Sequence, residues 1–314
     1  MVRLLARNPE ARAGQEGAVA RAVRAAARLG RALRRRGGAG RPRDLRDHDE
    51  LGAAFFRHML DPTLTWSCAI FERPQATLEE ASEAKLDALC RKLRLGPGDH
   101  LAELGGGFGS LAIHAARRYG CRVTTTTVSP VQHQVASERV RRAGLEGRVK
   151  VLLCDYRDLA GTYDKLVSVE MIEAVEGSAH GAFFRKCAAL LKADGLMALQ
   201  AVTAADGQRA RREVDLLEAQ VAPGACVPTV AALLDAAARA SDLQLRQLED
   251  IGPHYATTLA AWRANLARSA EAVARLATPR VRRLWEFCLC ACEAGFRERL
   301  LGEVQLVLAR PRAG

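Results

Sequence analysis

Five apolar runs, at residues 100–104, 122–128, 149–154, 165–171 and 196–203, alternate with helical stretches at 111–119, 131–143 and 179–191. Strands that alternate with helices through short turns form βαβ units, and these build a parallel sheet covered on both faces. Two later strand candidates, 243–249 and 303–309, are separated by helices around 255–266 and 280–299. The pattern predicts an α/β fold: a seven-stranded, mostly parallel, doubly wound sheet with a helical substrate-covering insertion. The covering segments fall at about 204–240 and 254–300, inside a domain spanning 48–314.

Charge separates that domain from what precedes it. The chain carries 47 Lys and Arg against 36 Asp and Glu, a net +11 at pH 7. Residues 1–47 hold 13 arginines and only four acids, Glu10, Glu16, Asp44 and Asp47, so +9 of that excess lies in this arm. Arg21, Arg24, Arg28, Arg31 and Arg35 share one helical face, and Val19, Val23, Ala26, Leu29 and Leu33 share the opposite one. Such a helix suits an anionic membrane surface, where each cation contributes about 1 kcal/mol. A solvated arginine face and an organelle-targeting peptide are the other readings of the same pattern. At 5% aromatic residues, stacking platforms for nucleic acid are not expected. No apolar run is long enough to span a bilayer. The nine cysteines have no zinc-ligand spacing and read as reduced thiols, which fits a cytoplasmic, peripherally membrane-associated protein.

The first chemical motif is Glu103-Leu104-Gly105-Gly106-Gly107-Phe108-Gly109, between a strand and a helix that opens at Ser110. A dinucleotide-binding turn would place its third glycine where Ser110 stands. An acid followed by Gly105, Gly107 and Gly109 instead resembles motif I of class I S-adenosylmethionine-dependent methyltransferases. In those enzymes the acid helps hold the amino-acid end of the ligand. Thr127, Ser129 and Gln132, after the second strand, are placed to meet ribose hydroxyls. Asp155, with Tyr156 beside it, ends the third strand and is placed to meet the adenine amino group.

Further blocks narrow the resemblance. Thr65-Trp66-Ser67-Cys68-Ala69-Ile70-Phe71-Glu72 resembles the T-Y-S-C-A-Y-F-E block of cyclopropane-fatty-acyl-phospholipid and mycolic acid cyclopropane synthases. Cys154–Asp158, Ser168-Val169-Glu170-Met171-Ile172-Glu173-Ala174-Val175, His254-Tyr255, Trp262, Trp285 and Cys292–Phe296 follow in family order. The E-M-I-E-A-V wording is similar to the plant and algal branch. The resemblance implies transfer of a methylene unit from S-adenosylmethionine to a cis double bond of an unsaturated phospholipid acyl chain. It also implies a bound bicarbonate that removes a proton from the new methyl group. Its holders would be the backbone of Cys68, Glu173, Gln200, the backbone of Val202, and Tyr255, while Trp66 and Ser67 would border the S-adenosylmethionine pocket. Glu170 reads as a sheet-edge or supporting residue, and His254 as structural. A homodimer is compatible with the pattern, which sets no oligomeric state.

Several positions depart from the family wording. Gly106 and Phe108 replace the Cys and Trp of G-C-G-W-G, and Gly106 is expected to add flexibility to the turn. The segments 48–56, 204–209 and 220–225 lose aromatic and polar residues that close the site in relatives. Two alternatives follow: a related lipid or small-amine methyltransferase, and a degenerate relative that binds without turnover.

Overall fold

The computed structural model describes residues 44–205 and 226–311. The arginine helix expected at 19–35 and most of the covering segment around 206–225 lie outside them. The first described helix, α1 (Asp44–Met59), runs across the boundary drawn at 47/48 and is interrupted at Gly52 (φ 66°).

Seven strands form one sheet: β1 (His100–Leu104), β2 (Arg122–Thr127), β3 (Val149–Leu153), β4 (Tyr163–Val169), β5 (Leu191–Ala204), β6 (Gln244–Asp250) and β7 (Leu301–Ala309). Their order is β3-β2-β1-β4-β5-β7-β6, with β7 antiparallel to both neighbours and the other pairings parallel. The order in which strands are added reverses between β1 and β4, and open sheets of this kind gather ligands at the strand carboxyl ends beside such a switch point. β5 begins five residues earlier than the sequence suggests. Only Leu191 of the added residues pairs, with Tyr163; Lys192-Ala193-Asp194-Gly195 bulges out as the turn its composition suggests, before regular pairing resumes at Leu196.

The helices start where the caps dictate. Thr77 and Glu80 form a reciprocal capping box at α2 (Leu78–Lys92). Ser129 caps α4 (Pro130–Arg142), which has Pro130 in its first turn. α2, α3 (Ser110–Tyr119) and α4 cover one face of the sheet, burying Leu89, Ile113 and Val140 against Leu101, Val123 and Val167. α5 (His180–Leu190) and α6 (Val230–Ala240) cover the other, with Phe183, Phe184 and Leu233 against Leu166 and Leu199. A third core lies beyond the strand ends. There α7 (Gly252–Arg268), α8 (Ala270–Leu276) and α9 (Pro279–Arg297) pack Tyr255, Trp262, Leu289 and Phe296 against Phe55 and Phe56 of α1. These helices are the described part of the cover expected at 254–300; α6, which falls in the segment expected to cover at 204–240, packs on the sheet instead. Among the described residues no helix is long and apolar enough to cross a membrane.

Candidate active site

β1 delivers Glu103 and the glycine turn to the switch point. Glu103 is buried, its Oε2 makes no hydrogen bond of good geometry, and burial raises its pKa to about 7, with the nearby Thr125 hydroxyl and then the Lys85 cation offsetting part of the rise. A carboxylate oxygen left dry and unpaired costs several kcal/mol unless a ligand completes it. The turn beside it is left-handed at Gly105 (φ 80°), where a Cβ would stand 2.8 Å from Met171 Cγ. Gly106 is not a source of looseness. A Cβ there would fall 1.9 Å from Thr125 Oγ1 and 2.6 Å from Glu103 Oε2, so this departure from the family wording makes room for the threonine and the acid. Space is open over Gly107. A bare backbone turn beside a buried, unsatisfied acid fits the ammonium-bearing end of S-adenosylmethionine.

The other residues assigned to that ligand surround the same strand ends. Thr127 Oγ1 donates to Gln132 Oε1 at 2.7 Å and accepts from Ser129 N at 3.2 Å, so the three form one linked group at the start of α4. Asp155 accepts from the Arg157 backbone at 2.9 Å and pairs with its guanidinium at 2.7 Å. Tyr156 sets its ring against Phe183, 5.6 Å between centroids. The buried Ser67 hydroxyl accepts from the buried ammonium of Lys85 at 2.8 Å. Trp66 stacks on Phe56 at 4.7 Å, in an aromatic wall that continues through Phe108 and Trp285.

The carboxylate cluster differs from the expected arrangement. Three of the presumed bicarbonate holders converge on Glu170: Cys68 N donates to its Oε1 at 2.7 Å, Gln200 Nε2 to the same oxygen at 2.9 Å, and Tyr255 OH to Oε2 at 2.6 Å. The fourth donor, Val202 N, is taken by Glu173 Oε1 at 2.5 Å. Glu170 is therefore the centre of the group, not a supporting residue at the sheet edge. Its backbone is left-handed (φ 48°), which is uncommon outside glycine and swings the side chain inward from the end of β4.

Two further acids stand around it. Glu173 buries its Oε2 without a partner, and burial together with the Glu170 charge raises its pKa to about 8. Glu303 of β7, wholly buried, is held well above the usual carboxylate range by burial and next by the Glu170 charge, so it is a neutral acid. Cys68 contributes its backbone: burial pushes the thiol well above its ordinary value, which removes it as a nucleophile. His254 is structural, as expected, accepting from Phe71 N through Nδ1 at 3.2 Å.

Glu173 has a measurable consequence. Because its folded pKa lies above its unfolded one, stability from the neutral form is complete below about pH 4 and is lost as pH rises toward about 8. Glu173→Gln keeps an acceptor for Val202 N and removes this loss. Its Tm should exceed that of the natural chain by about 5 °C at alkaline pH, with the gap closing below about pH 5. Thermal melts across that range test this; a gap independent of pH would contradict it.

Phe55, Leu266, Val273, Trp285 and Leu289 also line a cavity of about 400 Å³ among α7, α8 and α9. The glycine turn and the acid cluster thus share the carboxyl ends of the strands, and the cavity, which Arg263, Arg282 and Glu286 also line, lies in the helical core beyond them. The model of the mycolic acid cyclopropane synthetase family matches residues 39–306. The chain belongs to that family. This group consists of S-adenosylmethionine-dependent methyltransferases. The tuberculostearic acid methyltransferase UfaA1 of Mycobacterium tuberculosis is 35% identical over 85% of this chain, which covers 65% of that relative's length. The cyclopropane-fatty-acyl-phospholipid synthase of Escherichia coli K12 is 32% identical over 84% of this chain and 67% of its own. The crystal structure of mycolic acid cyclopropane synthase CmaA1 with S-adenosylhomocysteine superposes with a TM-score of 0.78 at 29% identity, covering 83% of this chain and 95% of that one. The fold and the S-adenosylmethionine chemistry expected from the sequence stand on these matches.

Sequence reasoning missed Lys85 and Glu303 and undervalued Glu170. A signal existed for each. Lys85 lies one helical turn from Ala81 and from Leu89, both buried. Glu303 alternates in phase with Gln305 and Val307, all inside the sheet. Glu170 and Glu173 lie three apart at a strand end, where neither periodicity decides which one faces the site.

Proposed function

We propose that this chain adds a methylene unit to the cis double bond of an unsaturated phospholipid acyl chain, forming a cyclopropane fatty acid. When bound, S-adenosylmethionine supplies a methyl group electrophilic enough for an isolated alkene, a poor nucleophile. Glu103 and the turn at Gly105–Gly109 hold its amino-acid end, with Thr127, Ser129, Gln132, Asp155 and Tyr156 toward the ribose and adenine, and Trp66 and Ser67 at the rim. The wall of Phe56, Trp66, Phe108 and Trp285 excludes water from a positively charged carbon on the acyl chain and offers it ring faces. Closing the ring requires a base. The observation that carries this reading is a carboxylate clasped by three donors, two of which, Cys68 and Tyr255, share a core with the aromatic wall. A small amine brings its own lone pair and needs no such centre. The printed name of the Escherichia coli relative points to the same substrate class.

The bicarbonate implied by the family resemblance does not fit these residues. Cys68 N, Gln200 Nε2, Tyr255 OH and Val202 N all have carboxylate acceptors already. A second reading, methyl or methylidene addition without ring closure, is favoured by the name of the tuberculostearic acid methyltransferase relative. The basic residues of the 1–47 arm would bring either enzyme to an anionic bilayer, as a peripheral protein. Expression in a host that makes no cyclopropanes, followed by lipid mass spectrometry, tests the reading. A gain of one CH₂ per unsaturated chain with loss of the double bond supports ring formation. A gain of CH₂ with an alkene retained supports the second reading, and unchanged lipids would count against both.

A further inference from the structure

The position of Glu170 carries an inference that rests on the proposed lipid reaction and deepens it. We propose that Glu170 is itself the proton-abstracting base of this site, so that the chain needs no bicarbonate.

Geometry supports this in three ways. First, the Glu170 carboxylate takes the hydrogen bonds of Cys68 N, Gln200 Nε2 and Tyr255 OH, groups that suit a small carboxylate-like anion. Second, the donors behind it all point one way. Gln200 Oε1 accepts from Gln305 Nε2 at 2.9 Å, Gln305 Oε1 accepts from Lys92 Nζ, and Lys92 pairs with Glu249 at the sheet edge. The aligned row of amides thus turns a donor, Gln200 Nε2, and not its carbonyl toward Glu170. Third, the residue adopts a left-handed backbone (φ 48°) and remains partly exposed while Gln200 and Cys68 are fully buried. Strain of this kind persists where the surroundings enforce it, and here it presents an anion to the open side of the cluster.

The step balances within the chain. After methyl transfer the acyl chain carries a positive carbon. One C–H bond of the new methyl group breaks, and its proton passes to a Glu170 oxygen. The electron pair of that bond forms the second ring C–C bond and neutralises the cation. Glu170 becomes a carboxylic acid and returns its proton to water once the products leave. Glu303 and Glu173, neutral through burial, add no competing charge beside it.

The test uses the full chain, S-adenosylmethionine and vesicles of a cis-monounsaturated phosphatidylglycerol, in buffer freed of carbon dioxide and again with added bicarbonate. S-adenosylhomocysteine release and lipid mass are followed. The natural chain should turn over at rates within about twofold in the two buffers. Glu170→Gly suits the left-handed backbone and should fold. It should lose about 100-fold in depleted buffer, and added bicarbonate should restore at least about tenfold, because Cys68 N, Gln200 and Tyr255 are then free to hold it. Glu170→Gln fills the space with an amide and should stay inactive in both buffers. The inference is overturned if the natural chain slows on depletion, if Glu170→Gly keeps its rate there, or if the folded glycine variant gains nothing from bicarbonate. A natural chain that modifies lipid only with bicarbonate would overturn the role of Glu170 and leave the lipid reaction standing. A chain that binds S-adenosylmethionine but modifies no lipid in either buffer would overturn the lipid reaction, and this inference with it.

Discussion

Gly105→Val should abolish S-adenosylmethionine binding while leaving the sheet folded. Gly105 sits at φ 80°, a conformation that β-branched residues avoid. The first carbon of a side chain would already press to 2.8 Å from Met171 Cγ and 3.2 Å from Met171 Cβ. Relief requires the turn to move, and the turn is tied to β2 through Gly106 N and Thr126 O at 2.9 Å. Displacing it draws the backbone away from Glu103, whose unpaired oxygen is the proposed anchor for the ligand ammonium. A loss of about 100-fold or more in affinity corresponds to about 2.7 kcal/mol, well within what such a displacement costs. Calorimetric titration with S-adenosylhomocysteine reads the loss, and an unchanged circular dichroism spectrum shows that the sheet survives. An affinity equal to that of the natural chain would remove the glycine turn from the ligand site.

Tyr255→Phe should act on turnover and not on ligand affinity. The ring packs edge-on to Trp262 at 6.0 Å and against Phe296 at 4.5 Å, contacts that phenylalanine preserves. Only the hydroxyl is lost, and with it the hydrogen bond to Glu170 Oε2 at 2.6 Å. Burial, reinforced by the Glu170 charge, keeps the phenol far above its ordinary pKa, so it acts as a donor throughout the working range. A hydrogen bond to a charged group contributes about 1.5–3 kcal/mol, so turnover should fall by about 10- to 100-fold with the S-adenosylhomocysteine affinity unchanged. Equal losses in turnover and affinity would instead place Tyr255 in the S-adenosylmethionine pocket.

Much of the fold is legible in the sequence because the parallel strands are rich in apolar and β-branched residues, as in Val123–Thr127, and alternate with amphipathic helices. The early start of β5 is not legible, because it rests on the single pairing of Leu191 with Tyr163 ahead of the Lys192-Ala193-Asp194-Gly195 turn. β6 is a solvent-exposed edge whose apolar residues, Leu245 and Leu248, stay 41% and 44% accessible. Around the site, the residue types that hold an anion are legible as a group: the Cys68 backbone, Gln200 and Tyr255 all meet. What they hold is not. Which acid the donors converge on, Glu170 or Glu173, depends on one left-handed residue after β4, a backbone choice that side-chain patterning does not encode. The same holds for Gly106, whose role appears only when Thr125 of the neighbouring strand is set beside it.

The most direct test of the central claim supplies S-adenosylmethionine with a fully deuterated methyl group, together with the purified chain and cis-unsaturated phospholipid vesicles. The expected product carries one CD₂ unit per modified acyl chain and no double bond, with one deuteron surrendered to the protein. Deuterated methyl transferred intact to an amine, or no label in lipid from a chain that binds the donor, would contradict it.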